Sequence, residues 1–292
     1  MSIDPVAAVE SLGYTEREAS FLYLAGIHSG YFLRRQFDSF IARKTGGAAQ
    51  EFIDKARRLR HVNIIDYGRR NYVYHLMAKS LYRLFGNAES QNCRIKGDSE
   101  IRLHLMALDY VLEHSDDHFL ETVEQKLGFF LDVRGVPPSL VRTRQGPQRP
   151  FVLSLPISIV DRTQPASSVV RFPFIDEALL STRKFTRFLS ELGPLMLALG
   201  NFEVIYTALS STNFVAAEAA FRNAFEIAVT RRQPTLPGFS SPFEPYSAYL
   251  RPLHARFTTL LFHFNYPHLL RYEPRGDVPR SISGSNMGRK IA

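Results

Sequence analysis

GGAAQEFIDKARRLRHVNIIDYGRRNYVYHL, residues 46–76, passes from a helical to a strand period with no linker between them. Placing Ala48 to Arg60 at helical spacing gathers Ala48, Ala49, Phe52, Ala56 and Leu59 into one apolar arc. Gln50, Glu51, Asp54, Lys55, Arg57 and Arg58 fall outside it. Val62 to Tyr67 and Tyr72 to Leu76 then read as two β-rich runs joined by Gly68-Arg69-Arg70-Asn71, a turn composition suited to a hairpin. Working outward, Thr15 and Glu18 have the spacing of a capping box. The helix they open carries Ala19, Leu22, Tyr23, Gly26 and Ile27 on one face. Gly30 ends it, and Phe32, Phe37, Phe40 and Ile41 predict a second short helix, closed by Gly46-Gly47. Beyond the hairpin, Ala78 to Phe85 returns to helix and Gly86-Asn87 stops it. Helix, helix, helix, hairpin, helix is the order of a winged helix-turn-helix.

Charge is concentrated on this segment. From Arg34 to Arg70 there are ten Lys or Arg and four acids, a local +6 within a chain of +8. A helix fits the DNA major groove, where Arg pairs with guanine and Gln with adenine. Gln50, Lys55, Arg57 and Arg58 are the candidates for that face. Arg69 and Arg70 at the hairpin tip suit phosphates or a minor groove, and Arg34 and Arg35 suit backbone contacts that set orientation. Glu51 and Asp54 oppose this unless they pair with neighbouring cations. A winged helix also serves as a protein-docking module, so a protein-binding adaptor stays open as an alternative.

The rest of the composition narrows the class. The chain has 292 residues, a pI near 9.6, 23 Phe, 13 Tyr and no Trp. That length suits two modest domains, and the basic balance favours an anionic partner. Cys93 is the single cysteine, which excludes an intramolecular disulfide and a cysteine-based zinc site and fits a reducing compartment. The N-terminal residues lack a secretory pattern, and the apolar stretch 192–209 is interrupted by Asn201 and Glu203. The expectation is a cytoplasmic protein with no membrane partner.

Residues 91–147 read as a helical linker, with Ile101 to Leu112 strongly helical, ending in the Pro- and Arg-rich loop RGVPPSLVRTRQGPQRP at 134–150. FVLSLPISIV and SVVRFPFID predict two strands, Phe185 to Leu199 a helix, Phe202 to Leu209 a strand and Asn213 to Val229 a helix. The expected class is therefore α+β: a winged helix-turn-helix over 1–90, a linker over 91–147, and a small α/β domain over 148–232. Residues 233–292 are expected to hold an aromatic helix near Tyr246 to Asn265 and a basic flexible tail.

The helix pair YTEREASFLYLAGIHSGYFLRRQF, the segment DKARRLRHVNIIDYGRRNYVYHL and the helix RLHLMALDYVL, with His104 and Asp109, resemble the replication-relaxation family of winged-helix proteins from plasmids and other mobile elements. The resemblance covers the first ~110 residues and implies DNA binding in replication, mobilisation or its control. Some such proteins carry a nuclease-like α/β region next, and FVLSLPISIVDRTQPASSVVRFPFIDEALLSTRKF is similar in layout to that restriction-endonuclease-like core. The pattern needs an acid near the first strand, then an acid, a spacer and a lysine, to hold Mg²⁺ and activate water. Here Pro156-Ile157 stands where Pro-Asp belongs, and no lysine lies two residues beyond Asp176 or Glu177. A degenerate core is the main reading. A metal-dependent nuclease using Asp161, Asp176 and Glu177, with Lys184 from the next helix, is the alternative.

HSDDH at 114–118 has metal-ligand residue types, but Ser-Asp-Asp at a helix end is a capping composition. His254, His263 and His268 lie among aromatics and read as packed. No phosphate loop or nucleophile motif occurs. The sequence thus predicts a non-enzymatic double-stranded DNA-binding protein without cofactor or resident metal. The C-terminal region would provide a homodimer contact, a protein partner's dock or a second DNA surface.

Overall fold

A computed structural model describes residues 4–42, 46–141, 155–176, 182–232 and 254–261. The protein is a mixed α+β structure. Its first unit opens with α1 (Pro5–Glu10), capped by Asp4, and α2 (Glu16–His28). The capping box on α2 forms as its sequence spacing predicts: the Glu18 amide donates to Thr15 Oγ1 at 3.3 Å and the Thr15 amide to Glu18 Oε2 at 2.8 Å. There follow β1 (Tyr31–Phe32), α3 (Arg34–Phe40), α4 (Ala48–Arg58), β2 (Val62–Asp66), β3 (Tyr72–Leu76) and α5 (Lys79–Leu84). The three strands form an antiparallel sheet in the order β1-β3-β2, with Tyr31 opposite His75 and Ile64 opposite Tyr74.

Phe21 of α2 is the hub of this unit's core. Its ring packs against Phe32 at 5.3 Å, Phe37 at 5.1 Å, Phe40 at 5.5 Å and Phe52 of α4 at 5.8 Å. Those contacts, edge-to-face except for the tilted Phe40 pair, tie three helices together. The buried face of α4 is Ala49, Phe52, Ile53 and Ala56, while Leu59 is 38% exposed. The expected arc is corrected at that end, because the helix stops at Arg58 and the chain turns back at Arg60, whose φ is 56°. Helical projection no longer applies there.

The expected linker is also corrected. Residues 91–93 form a 3₁₀ turn, and Asn92 Nδ2 donates to the carbonyls of Gly26 and Ile27. Next, α6 (Asp98–Glu113) is apolar on two sides and is buried by both halves of the chain. Leu108 joins the Phe21 core. Ile101, Leu105 and Tyr110 share a second cluster with Tyr31 and Val73 on one side and Ile205 on the other.

The second unit contains β4 (His118–Phe119), α7 (Val123–Gly128) running into a π-helical turn over Phe129–Val133, α8 (Pro138–Val141), β5 (Ser158–Ile159), β6 (Val170–Asp176), α9 (Arg183–Leu199), β7 (Asn201–Ala208), α10 (Phe214–Arg232) and β8 (His254–Leu261). Its sheet runs in the order β4-β5-β6-β7-β8, antiparallel through β6 and parallel from β6 to β8. Strand alternation divides its two faces. Val170, Phe172, Phe202, Val204 and Tyr206 pack with α9 and α10, whereas Ile175 and Ile205 turn to the cluster that contains α6. Residues 254–261 are a strand where aromatic spacing suggested helix. Its register follows that of β7, with Asn201 opposite His254 and Ala208 opposite Leu261, so tertiary pairing overrides the local pattern. Residues 142–150 of the expected loop lie outside the described residues. Arg134, at its start, is fixed by carbonyls of Ser168 at 2.8 Å and Leu199 at 2.9 Å.

Candidate nucleic-acid interface

Three elements of the first unit converge beside the hairpin. Arg34 from α3, Gln50 from α4, and Arg70, Tyr72 and Tyr74 from the turn and β3 line one cleft of about 340 Å³. No acid is among these five. Tyr72 and Tyr74 share a strand face, because Val73 between them points to the α6 side. Burial pushes the Tyr74 phenol up, with Tyr72 and the Asp54 carboxylate adding to it, while Arg34 and Arg57 pull it back, so two guanidinium groups and one carboxylate act on this hydroxyl.

The turn that delivers Arg70 is conformationally costly. Gly68, Arg69 and Arg70 all have left-handed backbone, with φ of 81°, 51° and 64°. The Asn71 amide donates back to the Gly68 carbonyl at 3.0 Å. Positive φ at both central residues is the type I′ arrangement, which favours Asn-Gly and is strained for arginine. Asp66 Oδ1 accepts from the Gly68 amide at 2.7 Å and helps hold the turn, and its exposed carboxylate keeps its charge beside the arginines.

The sequence-predicted cations divide into two groups. Arg57, Arg58, Arg69 and Arg70 are exposed. Arg57 makes only a long 3.9 Å contact with Asp54, and both side chains are 54% exposed, so this pair contributes little. Asp54 also accepts from Gln50 at 3.0 Å, which draws one opposing carboxylate into local bonds. Glu51 stays exposed on the helix. Arg34 reaches Asp38 at 3.7 Å and keeps about half of its side chain in solvent.

Arg35 and Lys55 are half-buried and committed to partners within the protein. Arg35 donates both Nη1 and Nη2 to the Asp109 carboxylate at 2.8 and 2.7 Å, and Gln36 donates to the same carboxylate at 2.8 Å. This fork fixes α3 on α6. Lys55 donates to Glu18 at 2.6 Å and lies over the Tyr14 ring, which fixes α4 on the start of α2. Both residues position the basic surface from behind. Arg43 and Lys44 lie outside the described residues.

The nuclease residues are not brought together. Asp161 is exposed and accepts from the Thr163 amide at 2.8 Å and its hydroxyl at 2.6 Å, bonds that lower its pKa. Its own amide donates to Ser168 Oγ, two residues before β6. Asp176 ends β6 and accepts from the buried Tyr206 phenol. A strand of that length separates the two acids by roughly 20 Å, too far to share one metal ion. Lys184 is exposed in the first turn of α9, and Glu177 lies outside the described residues.

HSDDH joins α6 to the sheet. His114 Nδ1 donates to the Tyr110 carbonyl at 2.9 Å, and His118 pairs with Ile159 in β4–β5. Asp117 accepts from Arg171 at 2.6 Å and from Ser158 at 2.8 Å. Among the described residues no three His, Cys, Asp or Glu are grouped to hold a metal ion. Cys93 is half-buried and bonds the Ser90 carbonyl. His254 belongs to β8, and His263 and His268 lie outside the described residues.

Sequence reasoning missed Tyr72 and Tyr74, although their spacing of two beside an Arg-Arg turn was a usable signal. It also missed Asp109 as the partner of Arg35, for which no local signal exists. No helix is long and apolar enough to cross a membrane among the described residues. No family model, curated protein or solved structure matches this chain.

Proposed function

We propose that α2 to β3 form a winged helix-turn-helix that binds double-stranded DNA without chemistry. The observation that carries this reading is the convergence of Arg34, Gln50 and Arg70 on one cleft with no acid in its lining, within reach of the Arg57 charge and of one carboxylate, Asp54, that Gln50 bonds. In the proposed complex α4 enters the major groove, with Gln50 and Arg57 toward base edges. Arg34, Arg70 and the two tyrosines take backbone phosphates, which set the register of the helix. Arg69, at the tip, reaches an adjacent phosphate or the minor groove. The strained turn supports this reading, since left-handed arginines sacrifice stability where Asn-Gly would not. The resemblance to the replication-relaxation family supports a role in replication, mobilisation or transcriptional control of a mobile element. In the same reading the five-stranded sheet and its helices are a degenerate nuclease-like core that serves partner docking or dimerisation.

The test is fluorescence anisotropy with a labelled duplex over a range of salt. The Arg57→Ala, Arg69→Ala, Arg70→Ala triple variant should bind more weakly and lower the salt slope by about 0.9 for each phosphate contact removed. Unchanged affinity and slope in a folded triple variant would transfer the surface to a protein partner.

A further inference from the structure

A second cavity, of about 400 Å³, lies between α2, α3, α6 and β4. That volume is within the range of sites for small organic ligands. Leu24, Phe40, Leu112 and Phe119 form its apolar walls. Its ionisable groups are Asp117, His118 and Glu121, and no Lys or Arg lines it. Asp117 is committed to Arg171 and Ser158. Burial and the Arg162 charge lower the His118 pKa and keep its ring neutral near pH 7. In the adjoining cleft, the Arg35 charge is closed on Asp109.

Glu121 is different. Its Oε2 accepts the Tyr23 phenol at 2.5 Å, and among the described residues it has no ion pair. Burial pushes its carboxyl up, and the Tyr23 bond restores only part of the loss. A half-buried carboxylate without an ion pair, set beside apolar walls, is complementary to a cation that carries an apolar body. Phe40 and Phe119, whose rings also pack on Phe21 and on His28 and Tyr110, line the cavity and offer apolar surface for that body.

We propose that this cavity binds a small organic ammonium compound, with Glu121 as counter-ion and the Phe40 and Phe119 walls enclosing the apolar part. The site goes beyond DNA binding and does not depend on it. Isothermal titration calorimetry on the full chain tests it without DNA, using 2-phenylethylammonium, 2-phenylethanol and phenylacetate as similarly shaped probes of different charge. The ammonium should bind saturably at one site, the alcohol at least tenfold more weakly, and the carboxylate not at all. Glu121→Gln should lose tenfold or more of the ammonium affinity. Ser115→Phe, at the exposed serine of the lining, should abolish binding by filling the cavity without touching the core. Equal binding of the three probes, no saturable heat with the ammonium, or wild-type affinity in either variant overturns the site. Should Glu121→Gln fail to fold, Ser115→Phe decides alone.

Discussion

Four arginines around the hairpin, Arg57, Arg58, Arg69 and Arg70, and one of the five-stranded sheet, Arg171, have opposite fates. Arg57, Arg58, Arg69 and Arg70 end in solvent, on short elements whose other faces are already packed. Arg171 sits near the start of an apolar strand and is drawn into a row across the sheet. It donates to Asp117 at 2.6 Å and to Glu203 at 2.8 Å, and Thr258 donates to the same Glu203 at 2.5 Å. Burial pushes the Glu203 carboxyl up, but the Thr258 and Arg171 hydrogen bonds and the Arg171 charge outweigh it and hold the group below its ordinary range. Arginine count therefore says little about function. What matters is whether the surrounding period leaves the guanidinium outside or obliges the fold to supply partners.

The sharpest way to break this contrast is to remove one arginine from each set. Arg171→Ala leaves two carboxylates on the sheet without their cation and should cost about 3 kcal/mol or more in urea unfolding at neutral pH. Arg58→Ala should stay within about 0.5 kcal/mol of the parent. Similar losses in both would abolish the distinction.

A smaller effect tests the seam between the units. The His28 ring packs on Phe119, its Nε2 is buried without a hydrogen-bond partner among the described residues, and burial, helped by the Lys126 charge, lowers its pKa to about 3. The unfolded chain gains this proton near the ordinary histidine value and the folded chain does not. Stability is thus complete above about pH 6.5 and declines below it by about 1.4 kcal/mol per pH unit, until the folded pKa is reached. Melting followed from neutral to mildly acidic pH should show at least that slope, and His28→Leu should remove its share, leaving the part that His61, His75, His104 and His118, whose pKa values are also lowered, contribute.

The smallest change sharpens the comparison by giving stability and binding opposite signs. Arg69→Asn with Arg70→Gly places the preferred pair in the left-handed positions and should raise unfolding stability by about 1 kcal/mol. Its DNA salt slope should fall by about 2, corresponding to two lost phosphate contacts. A variant that gains stability and keeps full affinity would remove the turn from the interface.

Much of the first unit was legible because its information is local. Thr15 and Glu18 announce the α2 cap, the spacing of Ala49, Phe52 and Ala56 gives the buried side of α4, and Gly68 marks the turn. What was illegible is decided by contacts distant in sequence. Nothing near Arg35 reveals that Asp109 will hold both its nitrogens, and nothing near Lys55 reveals Glu18. The 254–261 strand obtains its conformation from pairing with β7, so aromatic spacing within it misleads. The separation of Asp161 from Asp176 follows from the direction of β6, which motif spacing does not encode.

Because α6 gives one flank to Tyr31 and Val73 and the other to Ile205, neither half owns its inner wall. A fragment cut at residue 90 would expose the back of the hairpin sheet, and one begun at residue 148 would bare the opposite slope of the larger sheet. Deletion mapping would then report folding failures as losses of function, and point substitutions on the intact chain are the cleaner dissection.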